Sequence, residues 1–140
     1  MSKLQVRRLS HDAILPTRAH PDDAGLDLYL LEPITIAPGE GVTAATGIAA
    51  AIPHGFVGMI ADRSSMAKKG LKTAGGIIDS GYRGEIRIVL WNLSRETHSV
   101  AKGDRIAQLL VIPVALSAVE EVTSLEDTHR GSGGFGSTGN

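Results

Sequence analysis

Apolar and polar residues alternate strictly through Glu85-Ile86-Arg87-Ile88, which predicts a strand with one buried face and one wet face. Elsewhere short apolar runs are cut at close intervals by Gly and Pro, a rhythm that suits strands and turns better than long helices. The runs predict strands over residues 4–9, 25–31, 34–37, 42–52, 56–61, 71–74, 86–91, 105–113 and 119–122. Pro38-Gly39-Glu40-Gly41, Pro53-His54-Gly55 and Lys102-Gly103-Asp104 supply the backbone freedom or fixed φ that reversals between them need. One helix is expected, over residues 63–69, with Ser64 or Ser65 as N-cap and Gly70 as its stop. Many short strands in one modest domain predict an all-β sandwich, jelly roll or barrel. No solenoid or propeller period is present.

The pattern changes abruptly near the C-terminus. Glycines stand at 131, 133, 134, 136 and 139, and Phe135 is the one large apolar residue among them. Such a segment buries too little to offset its ordering entropy, so it is either a dispensable tail or an arm that orders on a ligand.

Composition narrows the chemistry. The 140 residues are 42% hydrophobic, enough for the core of one ordinary domain. With 14 Lys and Arg against 15 Asp and Glu there is no global basic field, so nucleic-acid binding by charge alone is not expected and an anionic ligand would need a local cluster of cations. The absence of Cys excludes a disulfide framework, Cys-ligated zinc and a thiolate nucleophile. No apolar run has the length of a membrane span and the first residues lack a secretory core, so a cytoplasmic location without membrane partners is expected. His11, His20, His54, His98 and His129 are scattered, with no pair at the spacing of a helical zinc site.

Four stretches carry candidate chemistry. Asp62-Arg63-Ser64-Ser65 lies at a strand-to-helix junction, where free N–H groups and an Arg suit phosphate; a plain cap with a surface Arg explains the same residues. Gly75-Gly76-Ile77-Ile78-Asp79-Ser80-Gly81-Tyr82-Arg83-Gly84 pairs glycines, which let backbone approach a flat ligand, with an Asp where strand gives way to turn; an ordinary turn Asp is the plainer account. Gly103-Asp104-Arg105-Ile106-Ala107-Gln108 reads alone as a turn and a core strand. The tail from Arg130 to Thr138 joins a cation, hydroxyls, flexible glycines and an aromatic, which suits either an arm that wraps phosphates and stacks on a base or a mere linker.

Taken in order, these stretches resemble the motifs of the homotrimeric dUTPases, the deoxyuridine triphosphate nucleotidohydrolases. Ala24-Gly25-Leu26-Asp27-Leu28 is similar to the family's first motif, Arg63-Ser64-Ser65-Met66-Ala67 with Gly70 to its second, and 76–86 to its third. Gly103 to Leu109 is similar to the fourth and Arg130 to Gly139 to the fifth. The sequence departs locally, with Tyr29 and Leu30 after the first motif, where a small residue is common, and Asp62 before Arg63, where Pro or Gly is frequent.

The resemblance implies a jelly-roll-like β-barrel over residues 1–129, a flexible Gly-rich arm over 130–140, and a homotrimer sharing three sites between chains. It implies hydrolysis of dUTP to dUMP and pyrophosphate with Mg²⁺, with Asp79 as the base that activates water. Tyr82 is implied to press on the deoxyribose, and the backbone of Gly75, Gly76 and Ile78 to read the uracil edge in a hairpin too tight for thymine's methyl. Arg63, Ser64, Ser65 and Gln108 would hold phosphates, with Asp27 behind metal-bound water. Arg130, Ser132, Gly134, Ser137 and Thr138 would close over the γ-phosphate, and Phe135 would stack on the base. A related dCTP deaminase is the nearest alternative, but it requires a catalytic Glu in the strand before Asn92, where 86–91 contains no carboxylate. A nucleotide-binding regulator without turnover is the other, and it has no use for a base at Asp79.

Overall fold

The structure, a computed structural model, describes residues 3–136. It is an all-β jelly roll with one short helix. The elements are β1 (Gln5–Arg8), β2 (Leu26–Tyr29), β3 (Ile34–Ile36), β4 (Gly41–Ala45), β5 (Ile48–Ala51), β6 (Phe56–Ala61), α1 (Ser64–Lys68), β7 (Leu71–Ala74), β8 (Ile77–Ile78), β9 (Arg87–Asn92), β10 (His98–Val100) and β11 (Arg105–Pro113). A four-stranded sheet runs β2-β11-β6-β8 and a three-stranded sheet β4-β9-β7, and the pairs β1-β5 and β3-β10 complete the wall. All of these pairings are antiparallel. Alternate residues from both larger sheets, including Leu28, Ile60, Ile106 and Leu109 from one and Ala44, Leu71, Ile88 and Leu90 from the other, meet in a single apolar core.

The differences from the predicted strands have local causes. The run 42–52 is two strands, because Thr46 and Gly47 turn the chain between β4 and β5. Gly47 has φ 72, and a side chain there would lie about 3.0 Å from Ala13. Thr46 fastens the break by donating its hydroxyl to the Ile86 carbonyl. Residues 119–122 form no strand: Val119 and Val122 are exposed, and no other strand among the described residues lies alongside to take their backbone groups. Two short strands escape the periodicity. β8 has only two residues, and β10 carries one buried apolar side chain, too little for alternation to register.

The helix begins at Ser64 with Arg63 as N-cap, and no side chain caps it, so neither Ser64 nor Ser65 is the predicted cap. Gly70 ends it as expected, with φ 85.

Asn92 is the polar pin of the fold. It is fully buried at the end of β9; its Nδ2 donates to the carbonyls of Ile36 and Glu96 at 2.8 and 2.7 Å, and its Oδ1 accepts from the Ser94 amide and hydroxyl at 2.9 and 2.6 Å. Asn92→Leu keeps the volume but removes these bonds and takes this donor from the buried Ile36 carbonyl, which is expected to cost about 2–4 kcal/mol. Urea unfolding checks this: the midpoint should fall at unchanged slope, and a loss below about 0.5 kcal/mol would contradict the role.

Candidate active site

Strand β11 brings three of the sequence stretches together. It pairs with β2 on one edge and β6 on the other, so Gln108 stands opposite Asp27 and Ala61 at once. The β2 ladder is interrupted by a bulge between Arg105 and Ala107. Bulges re-aim side chains, and here Arg105 reaches Asp27, with Nη1 at 3.6 Å from Oδ2. The other Asp27 oxygen accepts from Arg63 Nε at 3.1 Å. Arg63 is held further through Nη1, which donates to the Arg105 carbonyl at 3.1 Å and the Ser65 hydroxyl at 3.3 Å. Asp27 is thus a mostly buried anion between two guanidinium groups, and its own backbone is fixed in both directions against Thr17.

Gln108 donates from Nε2 to the Asp62 carbonyl at 2.8 Å. Its amide carries a second N–H, which has no acceptor among the described residues, although Gln108 itself lines neither cavity described below. Gly25 accommodates this side chain by close approach, since a Cβ there would lie 1.9 Å from Gln108 Oε1. Beside this cluster lies a cavity of about 240 Å³ whose lining includes Arg63, Ser65, Lys69, His98 and Arg105. Cations outnumber its one lining carboxylate, Asp104, and the small hydroxyl of Ser65 leaves room beside them. The arrangement suits an extended polyanion. Ser64 is exposed as the first helical residue and does not line the cavity.

The stretch from Gly75 to Tyr82 forms a separate feature. After β7 the chain turns through Gly75 and Gly76, with φ 67 and 95, and returns as β8. Gly76 lies against β6, where the Ile60 amide donates to its carbonyl at 2.7 Å and a Cβ would meet Ile60 at 3.1 Å. Nothing lies within 4 Å of a Cβ at Gly75, so that face of the turn is open to a flat group. Beyond β8 a cavity of about 200 Å³ is lined by Ile77, Ile78, Asp79, Tyr82, Glu85 and Arg87. Tyr82 is braced by its hydroxyl, which donates to the Glu85 carbonyl at 2.7 Å, and by its amide on the Asp79 carbonyl.

Two carboxylates face this second cavity, and they differ. Glu85 accepts from the Gly47 amide at 2.8 Å and from Arg87 at 3.0 Å, so each of its oxygens already has a donor. Asp79 is exposed, and its carboxylate has no hydrogen-bond partner among the described residues. The two cavities share no lining residue.

Of the tail, Arg130 to Gly136 lies within the described residues, and none of these lines either cavity. Arg130 Nε turns back on the Gly133 carbonyl at 2.7 Å, and the Gly131 amide donates to the Thr128 hydroxyl. Ser132 is exposed, and Phe135 is fully exposed with φ 51, so among the described residues it stacks on nothing. Ser137 and Thr138 lie outside the described residues.

Sequence reasoning passed over Glu85 and Arg105 as site residues. Glu85 reads as the polar phase of an alternating strand, and only its position beside Asp79 reveals it. Arg105 is aimed by a bulge, and a bulge leaves no mark in periodicity.

No group of three or more His, Cys, Asp or Glu gathers among the described residues. Both Asp27 oxygens already face cations. A Mg²⁺ here would therefore be held mainly by ligand phosphate and water, with Asp27 acting through water and not as a direct ligand.

A family model described as dUTPase matches residues 11–139. Among curated relatives, the deoxyuridine 5'-triphosphate nucleotidohydrolase of Mycolicibacterium gilvum (strain PYR-GCK) is 49% identical, with 99% of this chain and 96% of that one covered. That of Corynebacterium jeikeium (strain K411) is 52% identical, with 97% and 92% covered. Among solved structures, the Staphylococcus bacteriophage 80alpha dUTPase with dUPNHPP superimposes over the whole of both chains, with a TM-score of 0.93 and 31% identity. A mutant dUTPase from phage phi11 of S. aureus, described with a structural Mg(II) ion, matches with a TM-score of 0.85 and 29% identity over 90% of this chain and all of that one. With its fold, motif order and near-full-length relatives in agreement, the chain belongs to the dUTPase family.

Proposed function

We propose that the chain hydrolyses dUTP to dUMP and pyrophosphate by attack of water on the α-phosphorus. The observation that carries this reading is Asp79: an exposed carboxylate with no internal partner among the described residues, beside a braced aromatic ring and an open glycine turn. Such a group holds and deprotonates a water at neutral pH, whereas the neighbouring Glu85 is already bonded to two donors. The water oxygen bonds to the α-phosphorus, its proton passes to Asp79, and the α–β bridging bond breaks with its electron pair leaving on pyrophosphate.

The remaining residues position the substrate. The backbone of Gly75, Gly76 and Ile78 reads the uracil edge. Tyr82 lies against the sugar and leaves no room for a 2′-hydroxyl. Arg63, Ser64, Ser65 and Gln108 hold the phosphates, and the Asp27 carboxylate keeps Arg63 and Arg105 aimed. Bound Mg²⁺ would neutralise charge on the phosphate oxygens, with Asp27 reaching it through water.

The working form in this proposal is a homotrimer whose sites are shared. A barrel of residues 1–129 supplies the cavities, and an arm of 130–140 from another chain closes them, bringing Arg130, Ser132, Gly134, Ser137 and Thr138 to the phosphates and Phe135 to the base. Two features support this. The base cavity and the cationic cavity are separate within one chain, and the segment after β11 carries Leu116, Val119 and Leu125 exposed and without strand or helix. The deaminase alternative is not favoured, since β9 carries no carboxylate. A regulator without turnover would leave Asp79 as a bare anion where the ligand's own negative charge must sit.

Asp79→Asn keeps the shape and loses the basicity, so turnover of dUTP is expected to fall by roughly 10²–10⁴ with nucleotide affinity similar. Steady-state kinetics beside calorimetric binding checks this, and turnover within about threefold of the parent rejects the assignment. The shared site is tested by co-refolding equal amounts of Asp79→Asn chains and chains truncated before Arg130. If base and arm come from different chains, random assembly restores ~one quarter of the sites. Activity at the parental background after verified mixing contradicts the shared site.

A further inference from the structure

Asp62 lines neither cavity. It follows the last residue of β6 and precedes Arg63, close to where an Asp commonly caps a helix. Its side chain does something else. Oδ1 accepts from the Thr73 amide at 2.7 Å and from the Thr73 hydroxyl at 2.6 Å, and Oδ2 pairs with Lys72 Nζ at 2.6 Å. Its carbonyl simultaneously holds the Gln108 side chain.

The reason for this arrangement is a gap in the sheet. β6 pairs with β8 at Gly58 and Met59, and the Ile60 amide still reaches the Gly76 carbonyl. Before the glycine turn, Thr73 and Ala74 lie away from β6 and pair with Leu90 and Val89 of β9 in the other sheet. The backbone ladder between β6 and this hairpin therefore stops at Ile60, and the Asp62 carboxylate spans the opening to Thr73. Thr73 is buried, so its amide and hydroxyl need these acceptors. Partial burial by itself would raise the Asp62 carboxyl, but the donors from Lys72 and Thr73 outweigh it and hold the group below the ordinary carboxylate value.

We propose that Asp62 is a positioning residue that locks the root of the base-reading hairpin to the phosphate-holding cluster, its carboxylate fixing Thr73 while its carbonyl fixes Gln108. This rests on the dUTPase reading for the meaning of the two clusters. The mechanical link stands on the hydrogen bonds alone. One residue thereby sets how tightly the Gly75–Gly76 turn closes against β6, and with it how strictly a base without a 5-methyl group is preferred.

The test uses the full-length chain with Asp62→Ala, Asp62→Asn, Thr73→Val and the double variant Asp62→Ala/Thr73→Val. Amide hydrogen exchange reads the link without reference to activity. In Asp62→Ala the Thr73 amide loses its acceptor, and the Ile60 amide, which reports docking of the turn, should exchange about tenfold faster while β5 is unchanged. The ratio of kcat/KM for dUTP over dTTP should fall about tenfold, and Thr73→Val should lower it in the same direction. Asp62→Asn keeps an oxygen for Thr73 and should stay within about threefold of the parent, and the double variant should be no worse than Asp62→Ala.

An unchanged substrate ratio in folded Asp62→Ala overturns the positioning role, as does full additivity in the double variant. If Asp62→Ala does not fold, Thr73→Val decides on the same ratio. Should the parent chain fail to hydrolyse dUTP, the functional reading falls separately. The exchange arm then decides the link, with unchanged Ile60 exchange overturning it.

Discussion

The double pairing of β11 is the constraint on which the site depends. A strand with neighbours on both edges fixes two registers at once, and here the shared residue is Gln108, opposite Asp27 on β2 and Ala61 on β6. A slip of one residue on either edge would turn Asp27 or Gln108 to the opposite face and separate Asp27 from Arg63. The fully buried Leu28, Ile106 and Leu109 pin those registers through the core, so the same packing that stabilises the barrel sets the polar cluster. The bulge at Arg105 departs from the regular ladder, and it serves the cluster by bringing a second cation to Asp27.

Electrostatics then divides the labour between carboxylates. Asp27 is mostly buried between two guanidinium groups and orients cations. Asp62 is spent on Thr73 and Lys72, and Glu85 on Gly47 and Arg87. Asp79, unlike these three, has no partner among the described residues, which leaves its lone pairs for a water. The acid residues of the site thus differ in what already occupies them, and this environment separates the proposed base from the structural anions.

Much of this was legible in the sequence, because β-rich folds announce themselves through alternation and turn residues. The runs from residue 4 to residue 113 all contain strands, and the junctions at Arg63 and Asp79 and the strand position of Gln108 fall where turn and strand chemistry placed them. What was hidden is non-local. Residues 119–122 have the apolar residues of a strand, but a strand needs a neighbour, and the described chain offers none. A cap at Ser64 follows local preference, yet tertiary bonds to Asp27 and Arg105 fix Arg63 in the cap position, and the helix starts one residue earlier than a Ser64 cap would place it. That Asp62 bridges a gap between sheets is invisible to periodicity, since it depends on where the β7–β8 hairpin changes partners.

The central claim is that the clusters hold a triphosphate so that water meets its α-phosphorus. Hydrolysis of dUTP in water enriched in ¹⁸O reads the attacked atom directly, because the new oxygen stays on the phosphorus it joins. The account predicts a single label in dUMP and none in pyrophosphate by mass spectrometry. Label in pyrophosphate instead would mean attack at the β-phosphorus and would contradict the placement of Asp79 beside the α-phosphate.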